Sequence, residues 1–492
     1  MTDIVFRRGR VVDPGSGHDA VADVHVRDGR VEAVSGAIGP VGGAIEIDAE
    51  GLVVGPGFVD LHSHVHSVAG HRLQAMDGVT TALDLEAGLM PLRRAYADAA
   101  ADGRPLNYGF SASWAGARAR VLAGIEPDAS RGGILPVLGV PAWQATSTPD
   151  QLDRWLGVLE EELADGALGI GVLMGYAPYS DPAEFTAVAR LAARAGVPAF
   201  THVREIVEAD PSIPIDGSEE IAVAAAETGA AMHHCHVNST SRRHVDRVLA
   251  TLDKARAAGS RVTVEAYPYG AGSTGIGAYF LEPERLARWG MTPGNITILR
   301  TGERVADVAR LRELRATDPG AACVLEYLDE DKAVDRELLL HSLAFPDSVV
   351  ASDAMPVVWP DGTSESFDWP LPAGGSTHPR TAGTFAKSLR LMVRETATWT
   401  WSEAFRRCSY LPARVLDDVA PSMRAKGRLA PGSDADIVVL NPESITDNAT
   451  YFDSLRPSTG VRHLVVGGTL VVRDGVLDPT AFPGRAVRGE PA

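Results

Sequence analysis

The hydrophobic pattern of the chain changes twice along its length. From about residue 56 to residue 420, short apolar runs alternate with segments whose apolar residues recur every three or four positions. One such segment follows the capping sequence Thr148-Pro149-Asp150-Gln151, and its apolar stripe comprises Leu152, Trp155, Leu156, Leu159 and Leu163. This spacing is typical of an amphipathic helix with one buried face. The alternation predicts parallel strands joined by helical crossovers, which is an α/β architecture.

Both ends of the chain have a different hydrophobic pattern. Residues 4–54 alternate apolar and polar positions around Asp28-Gly29, which is a hairpin signal. Similar strand-like runs cover residues 435–440, 464–466 and 470–472, with Gly467-Gly468 between the last two. We therefore predict that residues 1–55 and 421–492 fold together as one small β-sandwich domain. Residues 56–420 form the larger domain inserted between them.

Ionisable side chains follow the predicted strands of the larger domain. His62 and His64 come directly after an apolar run, and positions i and i+2 of an extended strand face the same side. Their imidazoles can therefore converge on one ion such as Zn²⁺. His202, His236 and Asp353 follow later strands in the same way. Because the carboxyl ends of the strands carry the active site of a (β/α)8 barrel, we predict a TIM-like barrel with a metal site at its mouth.

The alternative interpretation of these residues is structural. His202 and His236 would then be hydrogen-bonded core histidines, and Asp353 would cap a helix or turn. Buried parallel strands rarely tolerate so many polar groups without a purpose, which favours the metal site. For the remaining histidines nearby we expect packing or hydrogen bonds to the ligands, and these are His66, His71, His233 and His234.

Composition narrows the classes of function. The 492 residues, 45% of them hydrophobic, suffice for a large buried core. A net charge of −18 disfavours binding to nucleic acids and anionic membranes, which requires clustered Lys and Arg. We see no secretion signal before Ile4 and no membrane-spanning apolar run, and three distant cysteines do not suggest a disulfide framework. We predict a cytoplasmic enzyme with a small-molecule substrate, and a homo-oligomer is compatible with this sequence.

Short motifs in a fixed order make the chain resemble the amidohydrolase superfamily, and within it the N-acyl-D-amino-acid deacylase (D-aminoacylase) group. None of these motifs is specific by itself, but together they extend almost from end to end. They are Gly57-Phe58-Val59-Asp60, Gly78-Val79-Thr80-Thr81, Gly166-Ala167-Leu168-Gly169, His202-Val203-Arg204, Tyr267-Pro268-Tyr269, Ala271-Gly272-Ser273-Thr274, Ser352-Asp353, His378-Pro379-Arg380, Gly383-Thr384-Phe385 and Gly427-Arg428-Leu429-Ala430-Pro431-Gly432.

The resemblance implies a metal-dependent hydrolase that cleaves a C–N amide bond. The expected activity is that of an N-acyl-D-amino-acid deacylase or of a close relative with an altered substrate. The implied metal ligands are His62, His64, His202, His236 and Asp353. Asp353 would also be the catalytic general acid/base, taking a proton from metal-activated water and returning it to the leaving nitrogen. Zinc is the default metal for such ligands.

The chain departs from the group at one metal ligand. The group places a cysteine after the Gly-Val-Thr-Thr motif, but this chain has Ala87 there. Other branches of the superfamily bridge two ions with a carboxylated lysine, and this chain has no lysine before Lys254. We therefore predict that the Glu86 carboxylate bridges two ions. The alternative is a single ion on the histidines, with Glu86 at a helix start or on the surface.

A second departure concerns the substrate. The group has a lysine that faces the substrate carboxylate, and Asn238 stands at that position here. Asn238 can donate hydrogen bonds but carries no charge. We predict that the substrate contacts are Arg204, Asn238, Tyr267, Ser273, His378 and Arg380. For Arg204, a purely structural ion pair is an equally good interpretation.

Residues 275–340 form a longer connection than a barrel needs. Its apolar residues include Tyr279-Phe280-Leu281, which could cover the barrel mouth as a lid and contact an acyl group. An ordinary surface loop is the alternative.

Three other functions stay open from the sequence. A cyclic amidase of the hydantoinase or dihydroorotase type uses the same water attack, and an aminohydrolase releases ammonia from a heterocycle. A non-catalytic binding protein on the same barrel is a remote third alternative.

Overall fold

A computed structural model of the protein describes residues 2–128, 135–138 and 140–490. The strands are β1 (Ile4–Asp13), β2 (His18–Arg27), β3 (Arg30–Ser35), β4 (Ile45–Asp48), β5 (Val53–Pro56), β6 (Phe58–Asp60), β7 (Val79–Leu89), β8 (Asn107–Ser113), β9 (Ile170–Leu173), β10 (Ala199–His202), β11 (Met232–His234), β12 (Val262–Ala266), β13 (Ala271–Gly275), β14 (Ile296–Ile298), β15 (Ala322–Glu326), β16 (Ser348–Val350), β17 (Ile437–Leu440), β18 (Val461–Val466), β19 (Thr469–Arg473) and β20 (Val476–Leu477).

The α-helices are α1 (Val68–Met76), α2 (Leu92–Asp102), α3 (Trp114–Arg118), α4 (Pro141–Gln144), α5 (Pro149–Ala164), α6 (Pro182–Ala195), α7 (Gly217–Thr228), α8 (Val237–Ser241), α9 (Val245–Ala257), α10 (Pro283–Arg288), α11 (Val308–Thr317), α12 (Ala333–Ala344), α13 (Arg380–Leu389), α14 (Trp401–Phe405) and α15 (Leu411–Val415). Shorter helical turns of 3-10 or π type include Ala119–Ala123, Arg242–His244, Tyr279–Leu281, Arg390–Glu395 and Arg406–Tyr410.

The predicted barrel is confirmed. Its parallel strands follow one another in the order β6-β7-β8-β9-β10-β11-β12-β16. At their carboxyl ends the first and last strands are joined, because Ser352 N donates to Asp60 Oδ1 (2.9 Å) and His64 N donates to the Ala354 carbonyl (2.8 Å). The eight strand ends therefore converge on one mouth, where the residues that follow them come together.

The helices between the strands begin where the sequence predicts. Thr148 and Gln151 form a reciprocal capping box at the start of α5, and its Trp155 and Leu159 are fully buried. The Asp181 and Asp216 side chains accept hydrogen bonds from the first turns of α6 and α7. These caps satisfy backbone N–H groups that have no partner within the helix, so each crossover starts at a defined residue.

The strands at both chain ends form one continuous nine-stranded sheet, in the order β20-β19-β18-β17-β5-β1-β2-β3 with β4 beside β1. It has its own apolar cluster, in which residues such as Val11, Val54 and Val439 are completely buried. After β20 the chain leaves this sheet and runs along the barrel, where Val487 N donates to the Tyr108 carbonyl (2.7 Å). The predicted boundaries of the two domains stay a prediction.

The insertion in the barrel is folded. Strands β13, β15 and β14 form a small antiparallel sheet, and α10 and α11 lie in the connections between them. Asp210, on a barrel loop, holds this unit in place through hydrogen bonds from Arg285, from Arg288 (2.8 Å) and from the Tyr279 hydroxyl (3.2 Å). Phe280 is buried and faces the cavity at the barrel mouth. Whether the unit acts as a lid stays a prediction.

Within the described residues, no helix is both long and apolar enough to cross a membrane.

We expect Gly217→Ala to destabilise the protein. A Cβ atom at Gly217, the first residue of α7, would lie 2.0 Å from the carbonyl oxygen of Arg204, so backbone must shift to make room. Overpacking of this kind costs about 1–3 kcal/mol of the free energy of unfolding. Gly157→Ala in α5 is the matched control, because its Cβ has no neighbour within 4 Å and should stabilise the helix by about 0.5–1 kcal/mol. Urea unfolding of both variants checks the two signs, and an unchanged Gly217→Ala protein would contradict the close approach.

Candidate metal centre

The first pair of imidazoles lies where β6 ends. The Nε2 atoms of His62 and His64 are 3.0 Å apart, so the two rings face one point as the i, i+2 spacing requires. The backbone N–H of His62 donates to Asp60 Oδ1 (3.2 Å), which fixes the turn after the strand. Both rings are enclosed, with 1% of the His62 side chain and 17% of the His64 side chain exposed.

The carboxylate of Glu86, on β7, lies at the centre of the site. Its Oε2 atom is 3.1 Å from His62 Nε2 and 3.4 Å from His64 Nε2. Its Oε1 atom is 3.1 Å from His202 Nδ1 and 2.6 Å from His236 Nε2. Each oxygen therefore faces one pair of imidazoles, and Glu86 stands between the two pairs.

Asp353 lies beside the first pair. Its Oδ1 atom is 3.4 Å from His62 Nε2 and 3.5 Å from His64 Nε2. The same oxygen is 2.8 Å from Arg380 Nη2, and Arg380 Nε donates to the Asp353 carbonyl. The backbone of Asp353 has φ +51°, a left-handed conformation that is uncommon for residues other than glycine and that the surrounding contacts hold.

Negative charge dominates the centre. Burial favours the neutral form of Glu86, yet the imidazoles of His62, His236 and His202 hold its pKa well below the usual range. Burial likewise opposes protonation of His62, but Glu86, Glu265 and Asp353 raise its pKa well above the usual value. The pKa of His64 is raised as well, mainly by Asp84, although burial opposes protonation. These two imidazoles therefore attract protons because the surrounding carboxylates carry negative charge. A divalent cation balances that charge and leaves the ring nitrogens neutral, which is the form that binds metal.

The donor set fits such a cation. Three groups of ligand atoms from the predicted site lie close enough together for each group to hold one ion. They are His62, His64 and Glu86; Glu86, His202 and His236; and His62, His236 and Asp353. Imidazole nitrogen with carboxylate oxygen is a typical zinc ligand set. In addition, His236 Nδ1 is buried with no hydrogen-bond partner among the described residues.

A further carboxylate, Glu265 on β12, orients the first ligand. Its Oε1 atom is 2.5 Å from His62 Nδ1 and accepts a hydrogen bond from the His236 N–H (3.1 Å), while its Oε2 atom is 2.9 Å from His233 Nε2. A carboxylate on the far nitrogen fixes the tautomer and direction of a metal-binding imidazole. Sequence reasoning missed Glu265, although an acid inside the apolar run Val262–Ala266 is a recognisable signal.

Asp84 performs a similar task for the second ligand. Its Oδ1 atom is 3.2 Å from His64 Nδ1, and its Oδ2 atom is 3.1 Å from His66 Nε2. Burial opposes ionisation, but His64 and His66 hold the pKa of Asp84 below its usual range. His66 and His233 therefore form the outer contacts that the sequence suggested.

Cys235, Cys323 and Cys408 are all buried free thiols.

A cavity of about 130 Å³ opens beside these residues. It is lined by Glu86, His202, His236 and Asp353, and by the predicted contacts Tyr267 and Ser273. The Tyr267 hydroxyl is buried without a hydrogen-bond partner within the described part of the chain, and Arg380 packs 4.9 Å from its ring. The Ser273 hydroxyl donates to the Cys323 carbonyl (3.0 Å).

The other predicted substrate contacts have partners within the protein. Arg204 donates to both oxygens of Glu220 (2.8 and 2.9 Å) and to two backbone carbonyls, so its guanidinium forms the structural ion pair that was the alternative interpretation. The Asn238 amide donates to the Tyr327 hydroxyl (2.8 Å) and accepts from the Tyr267 N–H (3.3 Å). His378 is fully buried, and its Nδ1 accepts from the Arg380 N–H (3.1 Å). Their roles toward a substrate stay predictions.

Known proteins share this architecture. Residues 46–472 match the model of the amidohydrolase family. The chain is 27% identical to the N-acyl-D-glutamate deacylase of Alcaligenes xylosoxydans xylosoxydans, over 99% of this chain and 96% of that protein. Among solved structures, the N-acyl-D-glutamate deacylase of Bordetella bronchiseptica, complexed with zinc and a phosphonate inhibitor, has a TM-score of 0.76 at 24% identity and covers 99% of both chains. A D-aminoacylase with a binuclear metal centre has a TM-score of 0.77 at 21% identity and covers 99% of this chain and 100% of its own.

We expect Glu265→Gln to weaken metal binding while the fold persists. The amide cannot hold the His62 ring as a charged acceptor does, and loss of such an outer contact lowers metal affinity by about 10- to 100-fold. Calorimetric titration of metal-free protein with Zn²⁺ measures the change. Glu227→Gln, at an exposed position of α7, is the control and should bind as the wild type does. Equal affinity in both variants would remove Glu265 from the support of the centre.

Proposed function

This chain belongs to the amidohydrolase family, and we propose that it is a deacylase that releases the free amine from N-acyl-D-amino acids. Metal-dependent hydrolysis of a C–N amide bond is the activity that the family and the deacylase relatives support. The observation that carries the proposal is the position of Asp353, whose carboxylate lies 3.4 and 3.5 Å from the two imidazoles of the first pair at the edge of the cavity.

We propose two Zn²⁺ ions in this centre. His62 and His64 with Glu86 Oε2 would hold one, and His202 and His236 with Glu86 Oε1 would hold the other. When bound, zinc lowers the pKa of water to about 7 and polarises a carbonyl oxygen. A carboxylate can bridge two cations, so Glu86 would take the role that cysteine has in the D-aminoacylase group.

Asp353 would move the proton. Burial tends to raise the pKa of Asp353, but Arg380 and His62 hold it below its usual range, so the carboxylate is ionised at neutral pH. It can therefore accept a proton from the attacking water and return it to the leaving nitrogen as the amide bond breaks. Arg380 contacts both the side chain and the carbonyl of Asp353, which keeps the carboxylate directed at the imidazoles.

The substrate contacts belong to the same proposal. The Tyr267 hydroxyl has no hydrogen-bond partner among the residues that the structure describes, and Tyr267 lines the cavity. Phe280 and Leu325 of the insertion add apolar surface suited to an acyl group. The cyclic amidase alternative lacks its usual support, because no lysine precedes Lys254 and none can supply a bridging carbamate from the early strands. The cytoplasmic location and a homo-oligomeric state stay predictions.

Asp353→Asn should abolish turnover and leave the fold and metal content intact. Asparagine keeps a hydrogen-bond acceptor for Arg380 but cannot accept the proton, and loss of such a general base lowers kcat by about 10²–10⁴-fold. The measurement is release of free amine by Zn²⁺-loaded protein from paired N-acetyl-D- and N-acetyl-L-amino acids.

Turnover of the D-series alone, lost in Asp353→Asn, would establish the proposal. Absence of turnover on both series with wild-type protein would overturn the deacylase assignment and shift attention to cyclic amides. Full activity of Asp353→Asn would remove this residue from the mechanism.

Glu86→Gln should reduce the zinc content from two ions per chain to one or none. The neutral amide has one oxygen in place of two, so it cannot serve both imidazole pairs. Elemental analysis after dialysis against Zn²⁺ measures the ratio, with Glu337→Gln at an exposed position of α12 as the control. A wild-type ratio of one ion would favour the single-ion alternative, and two ions retained in Glu86→Gln would contradict the bridge.

A further inference from the structure

Arg242 carries a buried positive charge that the mechanism does not use. It follows α8 directly, lies four positions after Asn238 and is only 6% exposed. Its side chain lines the same cavity as Asp353 and Tyr267. The Nη1 atom of its guanidinium is buried and has no hydrogen-bond partner among the described residues. A buried donor without a partner costs free energy unless a ligand satisfies it.

The backbone of Arg242 is also unusual. Its φ is +50°, in the left-handed region that favours glycine and is uncommon for a bulky side chain. Nε donates to the Ser239 carbonyl (3.2 Å), and the guanidinium lies 3.9 Å from the centre of the Trp289 ring in the insertion. The strained turn and the indole thus hold the guanidinium against the cavity wall, with its orientation set in advance.

Arg204 and Arg242 line the cavity, and Arg380 lies beside it against Asp353 and Tyr267. Of these three arginines, Arg242 has the least neutralised charge. Arg204 is paired with Glu220, and Arg380 is paired with Asp353. Within the described residues, no carboxylate oxygen lies within 4 Å of the Arg242 nitrogens. The nearest acidic influence is Glu205, whose pKa is raised by burial against the opposing effect of Arg242 and Arg285. Tyr267 and Tyr327, which also line the cavity, are the other groups that interact electrostatically with Arg242.

We propose that Arg242 binds the free carboxylate of the substrate and is a specificity-determining residue, replacing the positive charge that Asn238 does not supply. This inference rests on the proposed function. Arg242 follows the short helix that contains Asn238, and it lines the cavity together with Tyr267 and Tyr327, which the Asn238 amide contacts, so its charge can serve the region beside position 238. The Tyr267 hydroxyl is the second donor for the same carboxylate. A planar guanidinium suits a carboxylate because two N–H groups can donate in parallel.

The test compares a charged ligand with its neutral amide. The probes are N-acetyl-D-alanine and N-acetyl-D-alaninamide, titrated into Zn²⁺-loaded Asp353→Asn protein and followed by ligand-observed NMR, so that neither probe is consumed. Adding Arg242→Gln should weaken N-acetyl-D-alanine binding by about 10- to 100-fold, because a charge-assisted pair is lost. Binding of the neutral amide should stay within about twofold of its original value, since it never used that charge.

Two further variants sharpen the result. Arg242→Lys keeps the charge without the planar fork and should recover part of the lost affinity. Arg336→Gln, an exposed arginine on α12, is the control and should change neither affinity. Equal weakening of both probes by Arg242→Gln would mean that the residue only anchors Trp289, which overturns the inference. Unchanged affinity for N-acetyl-D-alanine, or no binding of it before Arg242 is changed, overturns it as well.

Failure of the inference and failure of the proposed function give different results. Wild-type protein that hydrolyses N-acetyl-D-amino acids, with an unchanged KM in Arg242→Gln, overturns only the role of Arg242. Wild-type protein without turnover that still binds N-acetyl-D-alanine through Arg242 overturns only the deacylase assignment. The carboxylate site then belongs to a hydrolase of another acidic amide.

Discussion

The buried carboxylate of Glu86, facing four imidazoles with its two oxygens, is the interaction on which the rest of the structure depends. A carboxylate removed from water is costly unless positive charge compensates it. Asp84, Glu265 and Asp353 add further negative charge around the same imidazoles, so protons alone are a poor compensation. Divalent cations would compensate this charge directly, and their binding would favour the folded arrangement of the strand ends.

The barrel makes this concentration of charge possible. Residues from β6, β7, β10, β11 and β16 reach one point because parallel strands end at the same mouth. Hydrogen bonds from neighbouring strands hold the strained backbone at the barrel mouth. Glu265 accepts the N–H of His236, whose φ is +31°, and Ser352 and Asp60 fix the turn before Asp353. Rigid strands thus set distances that flexible loops could not maintain.

The insertion and the residues after β11 and β12 form the cavity wall beside this centre. The insertion places Phe280 at the cavity and Trp289 against the Arg242 guanidinium, and Asp210 anchors it to the barrel through Arg285 and Arg288. The Asn238 amide stabilises Tyr267 and Tyr327 and has no charge to offer a ligand. In the proposed function, amide cleavage and recognition of the substrate are therefore separable, since they would use different residues of one cavity.

The sequence by itself determined the architecture and the candidate ligands. Apolar periodicity predicted the barrel, and polar residues at strand ends pointed to His62, His64, His202, His236 and Asp353, which the fold brings together around Glu86. These signals are local, because they depend on spacing along one element and on side-chain chemistry. Only the tertiary structure decided which distant groups become partners. Glu265 contacts His62, which is 203 residues away in the chain, and Arg204 pairs with Glu220. Arg242, in contrast, has a buried Nη1 donor with no partner in the described part of the chain. Such pairings follow from packing between elements that are far apart in the chain, and no local pattern encodes them.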